Sequence, residues 1–98
     1  MFYLVLPDLE TRTQVINHLK QRNIHPAFHY QALNASPMGL KLGGQIGQCP
    51  VSEKMSDCLL RLPFHNALSD LEIEYVVCAL EEFYKSNKKA KPHFEVAA

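Results

Sequence analysis

Five histidines and three cysteines are the residues of this 98-residue chain that could ligate a metal ion. His25 and His29 lie four positions apart, a spacing that in a strand places them on one face but about 13 Å from each other. Cys49 and His65 could join them only through the fold, and no zinc-ligand spacing such as C-x-x-C occurs. The pattern does not favour a metal site.

Cys49 is the cysteine best placed to act as a nucleophile. It directly precedes Pro50, and proline suits the first position of a helix. A helix N-terminus can activate a thiol, but cysteine catalysis also needs a base within reach. The sequence indicates no base beside Cys49, so a thiol enzyme is not favoured.

The four glycines all fall within residues 34–48, a stretch that resembles a phosphate-binding loop only in composition. In "GLKLGGQIG" Lys41 precedes the glycine pair, and no Ser or Thr follows a G-K. Neither the Walker pattern nor G-x-G-x-x-G is present. A structureless loop of this length is uncommon inside a compact domain. We therefore expect a surface loop, with one short helical turn at most, that is flexible or packs on a partner.

Polar side chains gather where a second strand is predicted to end, in "FHYQALNASPMG" (residues 28–39). His29 and Tyr30 are adjacent, so in a strand they face opposite sides of the sheet. Asn34 and Ser36 follow with short polar groups. Two interpretations remain open from these residues alone: a buried tyrosine with a capped turn, or a ligand site.

The elements that would position these residues can be read from hydrophobic periodicity. Residues 2–6 form a short apolar run typical of a strand covered on both faces. Thr11 and Gln14 fit a capping box that would start the first helix, and Asn23 suits a left-handed stop after it. Residues 24–30 then predict the second strand, with Pro26 near its start.

The second half of the chain predicts two helices around a short third strand. Pro50 opens one helix, with Val51, Met55, Cys58 and Leu59 as its apolar stripe, and "LLRLP" follows as the strand. The last helix has a Ser69–Glu72 capping box. Its predicted apolar positions are Ile73, Val76, Val77, Leu80, Phe83 and Tyr84. The order predicts an α+β fold, a small sheet of about three strands with helices packed on it.

Composition sets limits on function. The chain is 47% hydrophobic and 20% charged, with a formal net charge of +0 at pH 7. That is typical of a soluble globular domain and gives no field that attracts nucleic acid or a membrane surface. The opening "MFYLVL" stops at Pro7 and does not resemble a secretory signal, so we expect a cytoplasmic location with reduced thiols. Residues 87–98 are lysine-rich and predict a flexible tail.

Several of these segments together resemble a known family. "FHYQALNASPMG", the run "PVSEKMSDCLLRLPFHNALSDLEIEYVVCALEEFYK" and the opening "MFYLVLPDLETRTQVINHLKQRNI" are similar to the C-terminal small domain of the DegT/DnrJ/StrS family, pyridoxal-phosphate-dependent sugar-nucleotide aminotransferases. Within it they resemble the subgroup that acts on dTDP-4-oxo-6-deoxyglucose in enterobacterial common antigen biosynthesis. The resemblance covers residues 1–86 and implies the C-terminal domain fold of fold-type I pyridoxal-phosphate-dependent transferases.

The resemblance implies chemistry that these residues do not carry by themselves. Family enzymes are dimers that transfer an amino group from glutamate to a keto sugar linked to a nucleotide. A lysine of a large N-terminal domain holds the cofactor, and neither that domain nor a matching lysine is present. The expected protein is a truncated form or fragment of an aminotransferase of lipopolysaccharide or common antigen synthesis. It would be inactive alone, with no cofactor in this chain, and its standing as an enzyme stays open.

The same resemblance carries over site residues by position. Its H-Y-x-P-L-H segment approaches the sugar, and His29, Tyr30 and Leu33 match three of its positions. Ala32 stands where the family usually has proline, and Asn34 where it has the second histidine. His29, Tyr30 and Asn34 are thus the expected substrate-binding residues, although Asn34 cannot exchange a proton near neutral pH.

Two alternatives belong to other functional classes. The chain could be a free-standing module that forms homo-oligomers through an exposed apolar face. It could also be a small regulatory domain that binds a metabolite at a loop.

Overall fold

A computed structural model describes residues 2–28 and 30–87, together with the backbone of 93–96. It contains an antiparallel sheet in the order β2-β3-β1-β4. The strands are β1 (Phe2–Val5), β2 (Ala27–Phe28), β3 (Leu59–Arg61) and β4 (His93–Val96). The helices are α1 (Leu9–Lys20), α2 (Pro37–Lys41), α3 (Pro50–Cys58) and α4 (Asp70–Ser86), and a 3₁₀ turn spans Leu33–Ala35. The predicted α+β class, with helices packed on a small sheet, is confirmed.

The hydrophobic core lies between the sheet and the pair of helices α1 and α4. Leu4 of β1 pairs with Leu60 of β3, and both side chains are fully buried. The cluster around them consists of Leu6, Val15, Leu19, Ile24, Ala79, Leu80 and Phe83. Because each strand is at most four residues long, the helices supply most of this apolar surface.

Helix α1 begins earlier than its predicted capping box. The N-cap is Asp8, whose carboxylate accepts a hydrogen bond from the Thr11 N–H at 2.7 Å. The Thr11–Gln14 box is therefore wrong, because the helix begins three residues earlier at Asp8 and Thr11 lies inside its first turn. This bond from the Thr11 backbone, supported by the Thr11 side chain, lowers the pKa of Asp8. The predicted left-handed residue is confirmed, since Asn23 has a φ of 60°.

Helix α4 starts as predicted. The Ser69 side chain accepts from the Glu72 N–H, and the Glu72 carboxylate accepts from the Ser69 N–H at 2.8 Å. The core buries only part of the predicted apolar face of α4. Ile73 and Val77 were expected in the interior, but each is 47% exposed.

Polar contacts connect α1 and the turn after it to α4. Arg22 forms an ion pair with Glu82 at 2.8 Å. The His18 Nε2–H donates to the carbonyl oxygen of Ala79 at 2.7 Å, and the Tyr75 hydroxyl donates to the carbonyl oxygen of Arg22 at 2.8 Å. These bonds join α1 and the turn after it to α4.

Two predicted elements differ from the structure. The second strand is only Ala27–Phe28, because Pro26 precedes it and cannot donate to the ladder. Helix α3 begins at Pro50 as predicted. Its apolar stripe is mostly not buried: Val51 is 73% exposed, and Cys58 is the one buried residue of the helix. Cys58 has a pKa raised by burial, with a smaller contribution from the charge of Asp57.

The C-terminal part of the chain adds a strand that periodicity did not predict. The backbone of β4 pairs antiparallel with β1, with Phe94 opposite Leu4. The other residues after Asn87 lie outside the described ones, and so does most of the predicted flexible tail. No helix within the described part of the chain has the length and apolar character needed to cross a membrane.

Candidate functional site

The outer strand β2 is fixed to the sheet partly by a side chain of its neighbour. Arg61 of β3 donates from Nη2 to the carbonyl oxygen of Phe28, 3.3 Å away. Its guanidinium carbon lies 5.6 Å from the centre of the Tyr30 ring, a position in which the cation is attracted by the aromatic face. Tyr30 itself is 75% exposed. Arg61 therefore contacts the chain both at the end of β2 and at Tyr30.

The residues expected to contact substrate have different positions in this region. Tyr30 lies at the end of β2 beside Arg61. Asn34 lies in the 3₁₀ turn and is partly buried. His29 is outside the described residues, so its predicted role stays a prediction.

Asn34 anchors the long loop that follows β2, residues 31–49, which we call the glycine loop. Its Nδ2 group donates to the carbonyl oxygen of Gln45 at 2.9 Å and to the carboxylate of Glu53 at 3.2 Å. Both neighbours are acceptors, which assigns the amide nitrogen to this side of Asn34. Any molecule that reached Asn34 would therefore meet its Oδ1 oxygen, an acceptor.

Glu53 of α3 closes the glycine loop from the other end. One carboxylate oxygen accepts from the Gly47 N–H at 2.6 Å and from Asn34 Nδ2. A charged acceptor makes hydrogen bonds roughly twice as strong as a neutral one. The Glu53 carboxylate thus connects Asn34 near the start of the loop and Gly47 near its end to helix α3.

Close backbone approach within the glycine loop requires two of its glycines. A Cβ added at Gly39 would lie 1.7 Å from the carbonyl oxygen of Leu33, and one added at Gly44 would lie 2.6 Å from that of Asn34. The Ser36 hydroxyl adds a local cap, because it accepts from the Gly39 N–H at 3.0 Å and so starts helix α2. The predicted long loop is therefore a folded segment, and it contains a 3₁₀ turn and helix α2 where the sequence predicted one short helical turn at most.

The folded loop turns large apolar side chains to solvent. The most exposed are Leu33, Leu42, Ile46 and Met38, at 83%, 81%, 78% and 62%. Residues 30–52 contain a single charged residue, Lys41. The region combines an ordered backbone with an apolar, almost uncharged outer surface, which is typical of a surface that docks onto protein.

Three residues of this arrangement were not singled out from the sequence. Glu53, Gln45 and Arg61 make contacts that span 19, 11 and 33 positions. Motif spacing covers only a few residues, so it contains no signal for them. Glu53 lies in the first turn of α3, where the helix dipole favours an acidic side chain, and this position was the one local signal for it.

The comparison with protein families decides the assignment. The model of the DegT/DnrJ/EryC1/StrS aminotransferase family matches residues 1–81. The chain belongs to this family. The glycine loop, Tyr30 and the whole sheet other than β4 fall within the match.

The DegT/DnrJ/EryC1/StrS aminotransferases are in general dependent on pyridoxal phosphate, but the described residues do not fit that cofactor. Its phosphate and ring nitrogen need buried polar partners, and no polar or charged residue is buried in the described part of the chain. The lysines there are all exposed on helices: Lys20, Lys41, Lys54 and Lys85. In a family enzyme, the residues that bind the cofactor would have to come from another part of the protein.

Metal ligands do not gather in the described residues either. Among residues 2–28 and 30–87, no three His, Cys, Asp or Glu side chains approach one another closely enough to hold an ion. Cys49 is the exposed N-cap residue of α3, and Cys58 is buried at the other end of that helix. What this surface offers chemically is hydrogen bonding and apolar contact.

Proposed function

We propose that the chain is the small lobe of a pyridoxal-phosphate-dependent aminotransferase that acts on a nucleotide-linked 4-keto-6-deoxy sugar. The match of the family model over residues 1–81 carries this proposal. The amino donor is glutamate, and the product is a 4-amino-4,6-dideoxy sugar nucleotide for lipopolysaccharide or common antigen synthesis in the cytoplasm. The large lobe supplies the cofactor and its lysine, and the small lobe alone is inactive.

In this proposal the end of β2 forms one wall of the sugar site. His29, Tyr30 and Asn34 approach the sugar. Arg61 supports Tyr30 from beneath its ring, at 5.6 Å. The Asn34 amide hydrogens are already donated to Gln45 and Glu53, so Asn34 contributes an acceptor for a sugar hydroxyl. A histidine there could also move a proton, which Asn34 cannot do near neutral pH.

The glycine loop docks on the large lobe. Its apolar side chains and its near absence of charge support this role, because the centres of stable protein interfaces are depleted of charged residues. Its backbone is ordered by Glu53 and Asn34 before any partner is present. Docking would therefore lose little conformational freedom in this segment.

The first test concerns the chain alone. We expect no amino sugar when the purified chain is incubated with pyridoxal phosphate, glutamate and dTDP-4-oxo-6-deoxyglucose and the products are followed by mass spectrometry. A full-length family enzyme in the same buffer serves as the positive control. Turnover by the 98-residue chain would contradict the requirement for a large lobe.

The second test supplies the missing lobe. The chain is mixed with the large domain of a family enzyme whose own small domain has been deleted, and we expect amino sugar to appear. Tyr30→Ala should lower the rate at least about tenfold, as loss of a positioned substrate contact does. Glu74→Ala, an exposed position on α4 outside β2 and the glycine loop, is the control and should leave the rate unchanged. An equal rate with Tyr30→Ala would remove Tyr30 from the site.

A further inference from the structure

Arg61 is a cation that the described part of the chain leaves without a counter-charge. The one ion pair among the described residues joins Arg22 to Glu82, so Arg61 has no carboxylate partner there. A guanidinium group has five N–H donors. The described hydrogen bonds of Arg61 use one of them, which donates from Nη2 to the carbonyl oxygen of Phe28 at 3.3 Å. Arg61 therefore keeps charge and hydrogen-bonding capacity for another group.

The Nε–H of Arg61 is a second sign of an incomplete environment. The Nε atom is shielded from solvent and has no hydrogen-bond partner among the described residues. Shielded polar groups in folded proteins nearly always have a partner, and an exception commonly marks a bound ion or a functional role. The arginine side chain as a whole is partly exposed, so it is not closed off from a ligand.

The position of Arg61 in the sheet directs its charge away from the core. Its neighbour Leu60 is fully buried in the core, and successive side chains of a strand point to opposite faces. Arg61 pairs with Ala27 of β2 across the ladder, and its guanidinium carbon lies 5.6 Å from the centre of the Tyr30 ring. The cation thus lies next to a residue that we expect at the sugar.

The sequence around Arg61 contains almost no negative charge. No Asp or Glu occurs in residues 11–52, which include β2 and the glycine loop, or in residues 58–69, which include β3. Between these stretches lie Asp57, which is exposed on α3, and Glu53, whose carboxylate already accepts from Gly47 and Asn34. An anion that approached Arg61 along β2 would therefore meet little electrostatic repulsion.

A sugar nucleotide carries an anion of the right kind beside its sugar. The diphosphate is bonded directly to the sugar ring, so a sugar that contacts Tyr30 brings phosphate oxygens close to Arg61. Arginine suits these oxygens because it is always charged and its planar fork can donate two parallel hydrogen bonds to them. Glutamate, the proposed amino donor, has no such link to the sugar.

We propose that Arg61 binds the diphosphate of the nucleotide-linked sugar, while Tyr30 contacts the sugar itself. The inference rests on the proposed function, from which it takes the substrate class and the place of Tyr30. It assigns two neighbouring side chains to two parts of one ligand. Arg61 then contributes to the affinity for the nucleotide even when no keto sugar is attached.

Binding of dTDP, which has the diphosphate but no keto sugar, separates the two contacts. The chain is mixed with the large domain of a family enzyme whose own small domain has been deleted, and the dissociation constant for dTDP is measured by isothermal titration calorimetry. Arg61→Gln should raise this constant about tenfold or more, as loss of a hydrogen bond to a charged group does. Tyr30→Ala should leave it unchanged, because dTDP offers Tyr30 no keto sugar.

Two further variants make the result specific to the guanidinium group. Arg61→Lys keeps the charge but not the planar fork, so it should raise the dissociation constant by a smaller factor, and it provides the test if circular dichroism shows that Arg61→Gln does not fold. Lys20→Gln removes a positive charge from the exposed end of α1 and should leave dTDP binding unchanged.

The remaining outcomes distinguish this inference from the proposed function. A wild-type mixture that does not bind dTDP would overturn the inference, as would Arg61→Gln binding as tight as wild type. A loss confined to glutamate or to pyridoxal phosphate, the other anions of the proposed reaction, would overturn it too. Binding of dTDP that weakens with Arg61→Gln but is never followed by amino sugar formation would contradict the proposed function and leave the anion site standing.

Discussion

At the scale of single residues, two tyrosines of α4 show opposite uses of a hydroxyl group. The Tyr75 hydroxyl donates to the carbonyl oxygen of Arg22 at 2.8 Å. The Tyr84 hydroxyl is shielded from solvent and has no hydrogen-bond partner among the described residues. Burial raises the pKa of Tyr84 to about 12 from its ordinary value of 10.0. Satisfied and unsatisfied polar groups should therefore respond differently to the same mutation.

We predict that Tyr84→Phe is neutral or stabilising by up to about 1 kcal/mol, because it removes a buried hydroxyl that bonds to nothing in this part of the chain. Tyr75→Phe, the matched change, should destabilise by about 0.5–1.5 kcal/mol, because it leaves the Arg22 carbonyl without this donor. Urea denaturation at pH 7 measures both changes. A larger loss of unfolding free energy for Tyr84→Phe than for Tyr75→Phe would contradict the view that the Tyr75 hydroxyl is hydrogen-bonded and the Tyr84 hydroxyl is not.

The raised pKa of Tyr84 adds a pH dependence with a defined sign. The folded state holds the Tyr84 proton more tightly than the unfolded state. The stabilisation that this proton gives the fold is therefore fully present below pH 10, the pKa of the group in the unfolded chain. It is lost as the pH rises towards 12, because the unfolded chain ionises first. The stability advantage of Tyr84→Phe over the wild type should thus grow between pH 10 and 12. A constant difference across that window would show that Tyr84 is not buried.

At the scale of elements, the glycine loop depends on a carboxylate of the helix that follows it. Glu53→Gln keeps the size of the side chain but removes the charge that accepts from Gly47 and Asn34. We expect backbone amide exchange in residues 39–48 to accelerate by about tenfold or more, since about 1.5–3 kcal/mol is typical for hydrogen bonds to a charged group. Hydrogen exchange read by mass spectrometry measures this change.

The matched control for this loop is Glu74→Gln, an exposed glutamate on α4. It removes the same charge elsewhere and should leave loop exchange unchanged. If Glu53→Gln also left it unchanged, the loop would be held by its backbone turns, by Ser36 and by the hydrogen bond from Asn34 to Gln45.

Sequence patterns predicted the elements well where a local rule governs them. The Ser69–Glu72 box and the left-handed Asn23 depend on neighbours within a few residues, and both are confirmed. The Thr11–Gln14 box failed because two valid caps competed and Asp8 came first along the chain. Local rules rank such caps poorly, since either residue type can accept from an amide two or three residues further along the chain.

The candidate site was predictable only in part, for a related reason. Tyr30 and Asn34 stay predictions drawn from the resemblance, and the structure describes the contacts that each makes. The bonds that define those environments, Arg61 to Phe28 and Glu53 to Asn34, join residues 33 and 19 positions apart. Such pairs exist only once the chain has folded, so spacing in one sequence does not reveal them.

At the scale of the whole molecule, the core is small and depends on a few leucines. Leu60 of β3 is fully buried and faces Leu4 across the sheet. We predict that Leu60→Ala lowers the free energy of unfolding by about 3 kcal/mol, which combines the lost apolar burial with the cavity left behind. A domain of this size has only about 5–10 kcal/mol in total, so the midpoint of urea denaturation should fall by a third or more.

Leu71→Ala is the matched control for the core. Leu71 is 78% exposed, and surface changes of this kind usually alter stability by no more than about 0.5 kcal/mol. Equal losses for the two variants would mean that the sheet and helices do not enclose the core described above.

The low charge of residues 30–52 also has a kinetic consequence. A surface with Lys41 as its single formal charge has no electrostatic steering to speed an encounter, so its association rate should stay near about 10⁵–10⁶ M⁻¹s⁻¹. That rate should hardly respond to ionic strength, because few charges are available to screen. Assembly through this segment would then be tuned by how long the complex lives, and the salt content of the cell would have little influence on it.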